Sequence, residues 1–246
     1  MSRGRALVVA TSVALAAACG GGASGGSASD GHQRVTVFAA SSLTDSFTAI
    51  GKAYESAHPN ATVTFSFAAS SDLVQQVQQG APADVIATAS TRTMDEVSKN
   101  LTQPAKTFAR NRLVIVTARG NPKHISSLAD LGKKSLIVVL AAVGVPAGDY
   151  ARQALSDAHV TVQPKSLEDN VRGVLTKVEL GEADAGVVYV TDALVAGSKV
   201  TSVPVTNAPI ATYPIGAIDS SGSAFVDFVL SDQGQRILAR YGFLSP

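Results

Sequence analysis

Two short stretches of this chain read almost alike, Ala39-Ala-Ser-Ser42 and Ala68-Ala-Ser-Ser71. Each follows an apolar run and precedes apolar residues at helical spacing, so each places serines at the start of a helix. Two further helix starts, Gly144-Val-Pro-Ala-Gly148 and Glu168-Asp-Asn-Val171, are also reached through short segments that leave the backbone accessible. The first N–H groups of a helix have no partner inside it, and that end carries roughly half a positive charge. An anion can bind there with no cationic side chain. A serine hydroxyl adds a directed donor and keeps two acceptor lone pairs. Serine is also the common cap for a helix's own N–H groups. The two roles are compatible, since one hydroxyl can accept from the backbone and donate to a ligand. Four such ends converging on a cleft would make a strong anion site.

The other reactive side chains fit a catalytic centre less well. His32, His58, His124 and His159 show no metal-ligand spacing and read as solvated residues of turns and polar connections. Glu168 and Asp169 could be imagined as an acid pair, but a helix N-terminus accounts for them. Asp72 and Asp149 lie in the first turn of two of the anion-binding helices. There they favour the helix dipole and are expected to face solvent. Pointing inward, either would repel a dianion and could accept the proton that phosphate keeps near neutral pH. Tyr189 closes an apolar strand, a place where tyrosine is usually core with its hydroxyl satisfied. A net charge of +1 and the absence of a Lys/Arg stripe with interleaved aromatics exclude nucleic acid as a partner.

These residues need elements to hold them. Val35–Phe38, Val63–Phe67, Asp84–Ala87, Leu113–Val116, Leu136–Leu140 and Val187–Val190 read as strands, several apolar on consecutive positions as strands covered on both faces are. Between them run helical stripes: Phe47, Ile50 and Tyr54; Leu73, Val74 and Val77; Tyr150, Ala154 and Leu155; Val171, Val174, Leu175 and Val178. Strand–helix alternation predicts an α/β fold with mainly parallel sheets flanked by helices. In such sheets ligands bind beyond the carboxyl ends of the strands, where these four helices begin.

The motif series Val37-Phe-Ala-Ala-Ser-Ser-Leu-Thr44, Phe67-Ala-Ala-Ser-Ser-Asp-Leu73, Gly80-Ala-Pro-Ala-Asp84, Val145-Pro-Ala-Gly148, Asp169-Asn-Val-Arg-Gly173 and Gly181 to Asp192, with Arg240-Tyr-Gly-Phe243, resembles that of periplasmic molybdate-binding proteins from about Arg34 to the end. The resemblance implies a type II periplasmic binding protein: two α/β lobes with five-stranded sheets, joined by a two-strand hinge and closing over the ligand. It implies that Ser42 and Ser70 donate hydroxyl and N–H bonds from one lobe, that Ala147 and Val171 donate backbone N–H bonds from the other, and that Tyr189 adds its phenol. Molybdenum would be held as the oxyanion through these same residues, with no direct protein–metal ligand and no cofactor. The implied function is capture of molybdate or tungstate for the permease and ATPase of an ABC importer, by a monomer that is not an enzyme. Sulfate- or phosphate-type oxyanion binding, and a secreted hydrolase on the same scaffold, are the alternatives. Related ferric-binding proteins use paired tyrosines, and no adjacent Tyr-Tyr pair occurs here.

The N-terminus supplies the compartment. Arg3 and Arg5, an apolar run from Ala6 to Ala18 and then Cys19 read as a signal peptide over residues 1–18, too short for a spanning helix. Ala16-Ala-Ala-Cys19 resembles a lipobox, making Cys19 the lipidation site, and residues 19–33 a Gly/Ser tether on the outer face of the membrane or in the periplasm. The expected division beyond it is 34–112 with 213–246 as one lobe and 113–212 as the other.

Overall fold

Val35 and Val37 are fully buried in the first strand, which lies inside its sheet with a parallel neighbour on each side. In the computed structural model, which describes residues 32–246, β1 (Gln33–Ala40) pairs with β2 (Ala61–Ala68) and β3 (Val85–Ala87). The sheet is completed by β10 (Ala211–Ala217) and β4 (Lys106–Asn111), in the order β2-β1-β3-β10-β4. A second sheet repeats the plan with β5 (Leu113–Ala118), β6 (Val138–Ala141), β7 (Ser166–Glu168), β8 (Ala185–Tyr189) and β9 (Val200–Pro204), ordered β7-β6-β8-β5-β9.

The sheets are mixed, which refines the expectation of mainly parallel ones. In each, a single strand, β10 or β5, opposes the other four and pairs antiparallel on both edges. These are the strands on which the chain arrives from the other sheet. It leaves the first sheet at Asn111, enters the second at Leu113, and returns between Pro204 and Ala211. The expected signal peptide and the expected lipidation site, Cys19, lie outside the described residues.

Helices α1 (Thr44–Ala57), α2 (Ser70–Gln78) and α3 (Thr91–Asp95) follow β1, β2 and β3. Helices α4 (Pro146–Asp157), α5 (Val171–Glu179) and α6 (Val190–Ala196) follow β6, β7 and β8 in the same way. Two C-terminal helices, α7 (Ser223–Leu230) and α8 (Asp232–Arg240), return to the first lobe. The apolar stripes face inward as their spacing requires: Phe47, Ile50, Leu73, Val74, Val174 and Val178 are buried. Each such side chain removed from water contributes ~1.5–3 kcal/mol.

The cores differ in kind. The first lobe is aromatic around Phe47, whose ring centroid lies 5.5 Å from Phe108 and 6.2 Å from Phe225. The second is aliphatic, with Ile115, Val138, Val139 and Val187 buried beneath α4 and α5. Two glycines let helices close on this second sheet. A Cβ on Gly186 would stand 2.5 Å from Val174 Cγ1, and one on Gly148 would collide with the carbonyl oxygens of Ala141 and Ala142. The second contact seats the first turn of α4 directly on the end of β6. No helix among the described residues is long and apolar enough to cross a membrane.

Candidate functional site

The carboxyl ends of β1, β2 and β3 in one lobe and of β6, β7 and β8 in the other open onto one small cavity. Ser42, Ser70, Ala147, Val171 and Tyr189 all line it. Its volume is about 10 Å³, far below the ~300–1,000 Å³ of sites for drug-sized molecules and close to the ~10–15 Å³ that admits a single water-sized guest. Only a ligand of very few atoms suits such a space.

Each lining residue arrives by a local rule. The serines at the end of β1 form a 3-10 turn, Ser41–Leu43, that leads into α1, and Ala40, before the turn, makes no side-chain cap. Ala69 before α2 and Val145 before α4 likewise offer no capping side chain, so the first N–H groups there are left to whatever enters the cavity. Pro146 at the first position of α4 fixes the helical φ without losing a needed donor. At α5 the cap is Asn170, whose side chain accepts from Arg172 N and Gly173 N at 3.0 and 3.1 Å. It leaves the N–H of Val171, one residue earlier, outside the cap.

The hydroxyls are set as donors. Ser70 Oγ accepts from Ala89 N–H at 3.0 Å, which leaves its own proton for the cavity. Ser42 Oγ lies 2.9 Å from the hydroxyl of fully buried Tyr213. The phenol is the stronger acid of the two, so Tyr213 donating to Ser42 is the favoured arrangement, and Ser42 then donates onward. Tyr189 is 1% exposed and its hydroxyl makes no hydrogen bond. Burial pushes its pKa well above the ordinary phenol value, so it is a neutral donor without an acceptor. An orphaned polar atom of this kind costs ~1–3 kcal/mol. A bound oxyanion would satisfy it.

No charged side chain lines the cavity. Asp72 is exposed. Asp149 turns outward, accepting from Gly144 N at 2.9 Å and pairing with Arg92 at 2.7 Å. Neither aspartate supplies an acceptor to the cavity, and a dianion there meets donors alone. The histidines stay apart from it: His58 stacks on Tyr54, while His124 and His159 occupy left-handed turns at φ 51° and 54°. Among the described residues no group of His, Cys, Asp or Glu could hold a metal ion.

Sequence reasoning missed Ser41 and Ala89 as lining residues and Tyr213 as the partner of Ser42. The bond from Tyr213 spans 171 positions, and Pro214 beside it argues against a central strand. The structure accommodates that proline at an irregularity in the β10–β4 register.

The sequence model of the bacterial extracellular solute-binding proteins matches residues 35–244. The chain belongs to that family. As a solute-binding protein it is similar to the molybdate-binding protein ModA of Mycobacterium tuberculosis, with 40% identity over 98% of this chain and 97% of that one. Among solved structures, the Azotobacter vinelandii periplasmic molybdate-binding protein superposes with a TM-score of 0.76 at 16% identity, covering 86% of this chain and 99% of that one. The sulfate-binding protein SubI of M. tuberculosis gives the same TM-score at 20% identity, covering 86% of each chain. These two neighbours establish the fold of the solute-binding protein, two lobes of type II periplasmic architecture. One is named for molybdate and the other for sulfate, so fold alone does not choose the ligand.

Proposed function

We propose that this solute-binding protein captures molybdate, or the isostructural tungstate, outside the cytoplasm and delivers it to the permease and ATPase of an ABC importer. The observation that carries the proposal is the cavity itself: four helix starts, two serine hydroxyls and an unpartnered phenol face a very small space without a carboxylate. Ser42, Ser70, Ala147, Val171 and Tyr189 are the ligand-binding residues, and they hold molybdenum only through its oxygens. Donors alone suit a tetrahedral dianion that carries no proton, which disfavours phosphate. The 40% identity to a protein named for molybdate binding supports molybdate over sulfate.

Cys19 is the lipid-bearing residue, and 19–33 tethers a monomeric carrier to the membrane surface. The proposed division is 34–112 with 213–246 as one lobe and 113–212 as the other, its last boundary falling just inside β10, all of which pairs in the first sheet. The carrier needs no cofactor and leaves its ligand chemically unchanged.

Calorimetric titration with molybdate, tungstate, sulfate and phosphate tests the proposal. One-to-one binding of molybdate or tungstate, with phosphate silent, is the expected result. Heat from phosphate alone, or from none of the four, would overturn it.

A further inference from the structure

Two ion pairs join the lobes, and they are crossed. Arg92 in α3 of the first lobe reaches Asp149 in α4 of the second, Nη2 to Oδ2 at 2.7 Å, and also donates to Gly144 O at 3.0 Å. Arg172 in α5 of the second lobe reaches Asp45 in α1 of the first, again at 2.7 Å. Among the described residues, no other ion pair spans the two lobes. Each lobe thus presents one arginine and one aspartate, and each aspartate lies in the first turn of a helix that faces the cavity. Arg172 directly follows Val171, and Asp149 lies two residues after Ala147. A carboxylate so close to an anion site would repel the ligand, and only closure brings the opposite arginine to neutralise it.

The geometry points to Arg92–Asp149 and Arg172–Asp45 as a reciprocal latch that sets how long the lobes stay closed over the bound oxyanion. This rests on the oxyanion function proposed above and adds to it four positioning residues that do not touch the ligand. The latch favours the closed form, whereas the cavity donors favour it only when an anion is present, so the two multiply in the closed-state population. The pairs form after encounter, and their effect belongs to release rather than capture.

Arg172 is an unsuitable residue to remove, because it also lies 2.8 Å from the fully buried Asp192, which would be left alone. Asp45→Asn and Asp149→Asn discharge each pair and leave both arginines in place. The measurement is the release of radiolabelled molybdate, tungstate or sulfate, whichever the unmodified full-length protein retains, into excess unlabelled ion. Each variant should release roughly 2- to 10-fold faster with association nearly unchanged. In the unmodified protein added salt should speed release, and in the double variant that acceleration should disappear. The salt series on the unmodified protein needs no variant to fold. Unchanged release rates, or a change confined to association, would overturn the latch and leave the oxyanion site standing. A protein that retains none of the three anions would overturn both.

Discussion

Tyr189 carries the sharpest consequence at the scale of single residues, because its hydroxyl is buried and unpartnered. Tyr189→Phe should weaken molybdate binding about 10-fold or more, the cost of a hydrogen bond to a charged group. The ligand-free variant should melt close to the parent, since no hydrogen bond within the protein has gone. Calorimetry and thermal unfolding of the same two proteins check both halves.

Asp192 gives a pH signature. It is fully buried, and burial raises its pKa from 3.8 to about 6 although Arg172 beside it pulls the other way. Between these two values the folded chain holds a proton that the unfolded chain has lost, so stability falls as pH rises through that window. The stability of the parent relative to Asp192→Asn should therefore decline from about pH 4 to pH 6, by at most ~3 kcal/mol. Denaturant unfolding at a series of pH values measures it, and a difference that rises with pH would contradict the assignment.

Small lining residues at the starts of α1, α2 and α4 were legible in the sequence, because Ser, Ala, Pro and Gly there follow local rules, whereas Ala89, after β3, was not. The arginine partners were not. Arg92 meets Asp149 across 57 positions and Arg172 meets Asp45 across 127, and neither pairing leaves a local trace.

At the scale of elements, the position of α4 depends on Gly148. Gly148→Ala would drive a methyl group into the carbonyls of Ala141 and Ala142 and lift the first turn from the end of β6. Overpacking of this kind costs ~1–3 kcal/mol, and here it displaces the N–H of Ala147 as well. Affinity for the oxyanion should fall together with the melting temperature, whereas Gly186→Ala, packed on Val174 away from the cavity, should lower the melting temperature with a smaller effect on affinity.

The apolar strands β1, β2, β5 and β8 could be read from their runs of Val, Ile and Phe. The strands that escaped notice are β4, β7, β9 and β10. Lys106-Thr-Phe-Ala-Arg-Asn111 lies at a sheet edge and alternates irregularly, and Ala211-Thr-Tyr-Pro-Ile-Gly-Ala217 carries two residues that disfavour strands. Their pairing is decided by the sheet around them, a tertiary fact that a local window does not hold.

For the whole molecule, closure predicts a change of size. Small-angle scattering should show a more compact particle on adding saturating molybdate, with the double variant Asp45→Asn/Asp149→Asn shifted toward the open form at subsaturating ligand. An identical curve with and without ligand would contradict a closing cleft.

The two crossings of the chain bear on how it folds during synthesis and export. The second sheet is complete once residue 204 has emerged, because β5 to β9 are contiguous. The first sheet lacks its fourth strand, β10, until residue 217, and until then β3 and β4 have no common neighbour to join them. Strands β2, β1 and β3 pair among themselves, but β4, made before the whole second sheet, joins the first only through β10. Until β10 arrives the edges of β3 and β4 stay unpaired, the kind of exposed strand edge that invites pairing with another chain.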